Sequence, residues 1–379
     1  MKQKNLFIIP SLGGGGAEKV LIDILKAFDY NRFDVDLFVI RHTGTHLKEI
    51  PESVGKVYSL FYKWNLIIRL FYKCLRLLHL YDKYCRVKTK ALFKNCFYDT
   101  IVSFTSDEAI KFHNYILENG KKNISWVHID FLTNHPYSLY FKDKKEELSV
   151  YKKMDTIVFV SNKMLDNFNK YFELDPPASK EKVIYNYFNP DKIKELATAF
   201  TVPHTITTIC SVGRLQPVKG YDRLLRVGKI LKDKGYLFII RIVGCGYMEK
   251  ELKKLASSLN ISDIIEFTGF KTNPYPYIKN SDIYVCSSLS EALNVAILES
   301  TCLGLPIVST KTACACELLT NNRGIITEHD DLSLCKGIQL LLDSSAKRKE
   351  YSQRSLSEAK KFIPSSILNS IYDVISKKS

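Results

Sequence analysis

A chain of 379 residues with 46% hydrophobic and 25% charged residues is long enough for two globular domains of ordinary size, each with its own core. Its ten cysteines form no paired framework and no CxxC motif, so Cys314 and Cys316 read as buried thiols rather than metal ligands, and a reducing compartment fits. The net charge of +15 points to anionic partners: phosphates, an acidic lipid surface or nucleic acid. With no basic tail, zinc-finger spacing or recognisable nucleic-acid motif, the last of these is set aside.

Taken in order, the chain opens on the apolar run Leu6 to Pro10, too short for a signal peptide and read as a first buried strand. The loop Ser11-Leu-Gly-Gly-Gly-Gly-Ala-Glu18 follows, then a helix to about Phe28. Glycines between strand and helix let backbone amides approach a ligand closely, as in phosphate-binding turns. No Gly-Lys-Ser/Thr follows, so this is not a Walker loop, and four consecutive glycines lack the dinucleotide-binding spacing. A simple flexible turn is the alternative. Asp34-Val-Asp36 invites a metal-binding reading, but Val35, Leu37 and Val39 continue an apolar strand with the acids at its entrance.

Residues 61–96 turn cationic and aromatic. Trp64, Ile67, Ile68, Phe71, Leu75 and Leu78 follow helical spacing, with Arg69, Lys73 and Arg76 on the opposite side. Such frequent basic residues exclude a spanning helix, which needs about 20 mostly uncharged positions. Two readings stay open: an interfacial helix lying on anionic lipid, or a core-facing helix with a solvated basic side. Strands at Thr100–Phe104, Asn123–Val127, Thr156–Val160 and Lys182–Tyr185 then alternate with helices near 106–118, 138–153 and 162–172. His128 stands just past a strand end, where open α/β sheets build their sites; a structural histidine is the other reading.

Residues 191–204 read as a linker, and strand Ile206–Val212 starts a second half in which strands and helices keep alternating to 323–326. That alternation predicts a parallel sheet with helices on both faces. Its first strand runs into Gly213-Arg214 and Lys219 just before a helix, and a later one, Arg241-Ile-Val-Gly-Cys-Gly246, ends in a Gly-x-Gly turn. The stretch from Asn280 to Thr310 is a βαβ unit with Glu291 in the loop before its helix and Glu299 inside it. Helix N-termini favour anions, so the amides of Ala292, Leu293, Asn294 and Val295 suit a diphosphate. Carboxylates there need a reason of their own, which sugar and ribose hydroxyls would supply. The alternative makes Glu291 a helix-start acid and Glu299 a solvated helix residue.

In series these motifs resemble the nucleotide-sugar half of glycosyltransferase family 4, the retaining enzymes of the GT-B fold, over most of 205–330 and at the first glycine loop. The resemblance implies an α/β chain of two Rossmann-like doubly wound domains facing across a cleft. The N-terminal domain would cover 1–190, with the basic stretch 61–96, and a linker 191–204. The nucleotide-sugar domain would cover 205–355, and a last helix in 356–379 would pack back on the first domain. It implies a retaining, metal-independent transfer from a nucleoside diphosphate sugar, a uridine diphosphate sugar as first choice, to a lipid-linked or growing glycan acceptor. No cofactor is expected.

Under this resemblance Arg214 and Lys219 stabilise charge on the leaving diphosphate, and Gly14, Gly15 and Gly16 border the cleft. Glu291 and His128 hold the sugar. Gly213, Gly244, Gly246, Phe270 and Glu299 take the nucleoside side. The leaving phosphate itself accepts the acceptor's proton, so no protein base is nominated. The family commonly has Gly-Phe after the first glutamate; here Ala292-Leu293-Asn294 stands instead, with Asn294 placed to cap the helix or reach a sugar substituent. The expected location is cytoplasmic, peripheral at the inner face of the cell membrane, with no nucleic-acid partner. A catalytically silent sugar-nucleotide-binding scaffold at the membrane surface is the alternative function.

Overall fold

The computed structural model describes residues 2–62, 66–78, 80–133, 135, 139–174, 180–203 and 205–376. Two compact units divide the chain, Met1–Phe188 with Ser365–Ser379, and Asn189–Pro364.

The first unit strings together β1 (Gln3–Ile9), α1 (Gly16–Ala27), β2 (Phe33–Val39), β3 (Val57–Tyr58), α2 (Leu66–Leu77) and α3 (Tyr81–Leu92). It continues through β4 (Tyr98–Ser103), α4 (Glu108–Tyr115), β5 (Gly120–Val127), α5 (Lys144–Tyr151), β6 (Thr156–Phe159), α6 (Asn162–Phe172) and β7 (Glu181–Val183). The second begins with α7 (Pro190–Leu196), β8 (Thr208–Val212), α8 (Tyr221–Asp233), β9 (Ile239–Val243), α9 (Glu249–Ser258), β10 (Ile265–Gly269) and α10 (Tyr275–Lys279). It closes with β11 (Ile283–Cys286), α11 (Val295–Cys302), β12 (Ile307–Thr310), α12 (Ala313–Leu318), β13 (Ile325–Thr327), α13 (Asp331–Leu342) and α14 (Ser345–Ala359). The final helix, α15 (Pro364–Ile375), belongs almost entirely to the first unit.

Each unit is built on a parallel sheet, in the order β3-β2-β1-β4-β5-β6-β7 for the first and β10-β9-β8-β11-β12-β13 for the second. Strands sandwiched by helices must be apolar on both faces. Leu6, Phe7, Ile8 and Ile9 in β1 have no exposed surface at all, and Ile283 and Val285 in β11 are likewise sealed. In both sheets the strand order reverses once, between β1 and β4 and between β8 and β11. At such a reversal the flanking loops diverge and leave a crevice at the carboxyl ends of the strands.

Helix starts follow local chemistry. Asp107, Ser161, Asn294, Thr312 and Asp330 each cap a helix through a side-chain oxygen, and Asn189 caps α7 with Pro190 in its first turn. Three expectations need correcting. The stretch 191–204 carries most of α7, whose carbonyl at Leu196 accepts from Asn273 Nδ2 at 2.8 Å, so its first part is an element of the second unit. Helices α10 and α12 were not anticipated, being too short for a readable period.

The third correction concerns residues 61–96. Trp64 lies outside the described residues, as do the side chains of Ile67 and Arg69; the remainder forms two helices. Ile68, Tyr72 and Leu75 turn into the core, whereas Phe71 and Leu78, expected on the same side, are exposed.

In the first unit α15 is held by Thr100 Oγ1, which donates to Ile375 O at 2.8 Å, and by Tyr372 stacked on Phe33 with ring centroids 5.2 Å apart. Asp36 is absorbed by structure: Tyr98 OH donates to its Oδ2 at 3.0 Å and Lys56 N to its Oδ1 at 2.8 Å.

Candidate active site

The second unit's reversal point is where its charged loops meet. The loop after β8 ends in Lys219 and Gly220; the loop after β11 carries Ser287, Ser288 and Glu291. Backbone and side chains stitch the two together. Leu289 N donates to Val218 O at 2.7 Å, Ser287 Oγ to Lys219 O at 2.9 Å and Arg223 Nη1 to Ser287 O at 3.1 Å. Gly220 sits at φ +61°, and a Cβ there would stand 2.2 Å from Ser287 O, so only glycine permits this approach.

The consequence is an ion pair between residues 72 positions apart. Lys219 Nζ donates to Glu291 Oε1 at 2.6 Å, and Ser288 Oγ donates to the same oxygen at 2.6 Å. Glu291 Oε2 is left without a donor among the described residues. Burial works against the Lys219 charge, yet the adjoining Glu291 carboxylate outweighs it and holds the ammonium above its ordinary range. Arg214 is exposed, has no acid partner among the described residues, and lies near enough to oppose the Lys219 charge. Two cations and one half-satisfied carboxylate therefore share the mouth of the β8/β11 crevice.

The start of α11 forms the adjoining wall. Asn294 Oδ1 accepts from Ile297 N at 3.2 Å and so caps the helix. Its Nδ2 donates to Cys286 Sγ at 3.2 Å, and its backbone N–H to Cys314 Sγ at 2.9 Å. Cys314 N in turn donates to Glu291 O at 3.3 Å, so one residue of α12 clamps both ends of the 291–294 segment. Burial raises the Cys314 and Cys286 thiols, keeping both neutral. This corrects the expected anion cradle: the Asn294 amide is already bonded to sulfur, and Asn294 is a cap. Ala292, Leu293 and Val295 stay at the loop–helix junction, and Val295, as the first helical residue, has no intrahelical acceptor for its N–H.

Glu299 is not the solvated residue allowed for above. It is 3% exposed, and its Oε1 accepts from Tyr275 OH at 2.9 Å, a partner on the unanticipated α10. Gly213, Gly244 and Gly246 interlock at neighbouring strand ends. Gly213 N donates to Val243 O at 3.0 Å, Leu215 N to Cys245 O at 2.9 Å, and Gly244 N to Gly269 O at 3.0 Å. Cβ atoms at Gly244 and Gly246 would lie 2.0 Å from Gly213 O and 2.3 Å from Leu215 O. Phe270 follows directly, 37% exposed.

Gly14, Gly15 and Gly16 lie in the first unit, at the carboxyl end of β1 beside that sheet's own reversal, with Gly15 as the cap of α1. His128 follows β5 in the same unit. Its Nε2 is buried without a partner among the described residues, its ring lies 4.8 Å from Phe104, and burial lowers its pKa to about 3. It is a neutral imidazole at pH 7. Sequence reading missed Ser288, Cys314 and Tyr275 as partners of the acids; only Ser288 offered a signal, three residues before Glu291 in a serine-rich loop.

Two parallel-sheet Rossmann-like units are the architecture of the GT-B class of glycosyltransferase folds. Residues 193–357 match the family described as Glycosyl transferases group 1. It is 27% identical over 374 residues, 96% of either chain, to the N-acetylgalactosamine-N,N'-diacetylbacillosaminyl-diphospho-undecaprenol 4-alpha-N-acetylgalactosaminyltransferase of Campylobacter jejuni. Solved structures with the same fold include TarM of S. aureus, determined with UDP, at TM-score 0.76 and 12% identity over 99% of this chain and all of that one. HepE of Anabaena, determined with UDP and glucose, aligns at TM-score 0.74 and 20% identity over 98% and 99%. Among the described residues no helix is long and apolar enough to cross a membrane, and no cluster of three or more His, Cys, Asp or Glu could hold a metal ion.

Proposed function

We propose that the protein is a retaining glycosyltransferase that moves a sugar from a nucleoside diphosphate sugar, a uridine diphosphate sugar first, onto a lipid-linked or growing glycan in bacterial surface polysaccharide assembly. The observation that carries the reading is the Lys219–Glu291 pair with Arg214 beside it at the β8/β11 reversal. The Campylobacter jejuni relative, similar along its whole length, carries a diphospho-undecaprenol acceptor in its name, and both fold neighbours named above were solved with UDP.

Departure of a nucleoside diphosphate leaves negative charge on a phosphate oxygen, and preorganised cations in a partly dry site stabilise that charge best. Arg214 would grip two phosphate oxygens and Lys219 would act as a point charge, so the transfer needs no divalent metal. Glu291 has two tasks in this reading: it keeps Lys219 charged, and its open Oε2 accepts from a sugar hydroxyl. Gly213, Gly244, Gly246 and Phe270 take the nucleoside with Glu299, whose hydrogen bond from Tyr275 fixes its orientation. Leu293 and Val295 border the sugar. Neutral His128 and Gly14 to Gly16 keep the roles the family resemblance implies, the histidine toward the sugar and the glycines toward the phosphate and acceptor. The acceptor hydroxyl attacks the face that the diphosphate leaves, and the departing phosphate takes its proton. The work is done at the cytoplasmic face of an anionic membrane.

The test supplies purified protein with uridine and guanosine diphosphate sugars, with and without a lipid-diphosphate saccharide, and reads nucleoside diphosphate release and the product's anomeric configuration. Acceptor-dependent release with retention supports the reading. Nucleotide binding without release under any combination would instead establish a silent sugar-nucleotide scaffold.

A further inference from the structure

Helix α2 shows three faces. Ile68, Tyr72 and Leu75, spaced i, i+4, i+7, pack into the first unit's core, with the Tyr72 ring 4.5 Å from that of Phe61. Lys73 and Arg76 are exposed along one border of that stripe. The remaining sector is apolar and open to solvent: Leu66 is 68% exposed, Leu70 53%, Leu77 72%, Leu78 65% and Phe71 46%. A soluble helix with a packed inner stripe has no structural need for five large apolar residues on its outside. The pattern continues into α3, where Val87 is 60% exposed among the exposed Lys83, Arg86, Lys88 and Lys90.

We propose that this outer face of α2 docks on an anionic lipid bilayer, with Leu66, Leu70 and Leu77 entering the acyl boundary and Lys73, Arg76 and the α3 cations lying at the headgroups. Charge selects this occupant. Residues 61–96 hold nine Lys and Arg against one acid, Asp82, which is already paired with Arg86 at 3.0 Å and Lys111 at 2.8 Å. A second copy of a chain with net charge +15 would set like charges against each other, whereas a bilayer of anionic lipid offers an apolar interior beneath a negative surface. With 12 residues, α2 is about 18 Å long and too short to cross a hydrocarbon core of about 30 Å, so it lies in the plane. The inference deepens the function proposed above, and rests on it only in making this face the place where a lipid-linked acceptor is met.

The experiment sediments the full chain with vesicles of phosphatidylglycerol and phosphatidylethanolamine, and with vesicles of phosphatidylcholine alone. Binding to the anionic vesicles at least tenfold tighter than to the neutral ones is expected. It should fall at least tenfold in Leu70→Ser/Leu77→Ser and in Lys73→Glu/Lys83→Glu, with melting temperature and uridine diphosphate binding unchanged. Equal binding by the variants, or no binding to anionic vesicles, overturns the proposal. So does a dimer in solution that the leucine variant dissolves, which would assign the face to a second copy. Because nucleotide binding is read separately, loss of vesicle binding alone removes the docking face and leaves the transferase reading standing. Loss of nucleotide binding alone does the reverse.

Discussion

Lys219 Nζ lies 2.6 Å from Glu291 Oε1, joining the loop after β8 to the loop after β11 across the point where the sheet changes direction. The pair makes the two residues interdependent. Lys219→Met should lower kcat/KM by roughly 10²–10³-fold, the usual effect of removing one preorganised charge donor. Glu291→Ala should be as severe and should also lower the melting temperature, since it leaves a largely buried ammonium without its carboxylate. Steady-state kinetics and thermal melts check both.

Cys314 acts on the same loop from outside the crevice. Cys314→Ala removes the sulfur that accepts the Asn294 amide, and a lost buried hydrogen bond costs about 1 kcal/mol. Because the clamp positions the loop, kcat/KM should fall about fivefold, the factor matching that energy, with Cys314→Ser recovering part of it. Equal activity in all three proteins, with only the melting temperature shifted, would reduce the clamp to a packing contact.

Gly220→Ala should be among the most damaging small substitutions in the second unit. The added Cβ would meet Ser287 O at 2.2 Å on a residue held at φ +61°, and the colliding atom is backbone. A cost of at least about 1–3 kcal/mol follows from the strain alone. Gly235→Ala, also at positive φ but with nothing within 4 Å, is the control and should cost less.

Stability should fall on acidification through a group remote from the site. His113 is fully buried; burial depresses its pKa to about 4, opposed weakly by Asn123 Oδ1 at 2.9 Å from Nε2. The unfolded chain takes up this proton near pH 6.5 and the folded chain near 4, so the contribution is complete above 6.5 and is lost as pH falls from 6.5 to 4. The full swing is on the order of 3 kcal/mol. Denaturant midpoints between pH 7 and 4 should show a shallower slope in His113→Gln than in the parent.

How far the sequence reached depends on the kind of signal. The alternation of strand and helix was legible because long apolar strands and amphipathic helices carry strong periods, and the two parallel-sheet units follow it closely. Helices α10 and α12 were not, because five or six residues give less than two turns of pattern. In α2 the period was right and the faces were not: Phe71 and Leu78 match the apolar spacing yet face solvent, which only the position of the core decides. The Lys219–Glu291 contact and the Cys314 clamp are products of loop stitching over 72 and 20 residues, and no local rule encodes them. Asn294 was read as a cap or a sugar ligand, and the fold uses it as a cap.

The central claim is that Arg214 and Lys219 receive a diphosphate. Calorimetric titration of uridine and guanosine diphosphates against the corresponding nucleosides, on the parent protein and on Arg214→Ala and Lys219→Met, tests it most directly. The account requires one diphosphate to bind at least a hundredfold tighter than its nucleoside, and each substitution to remove at least tenfold of that difference. Diphosphate and nucleoside binding equally well, or both variants binding like the parent, would contradict it.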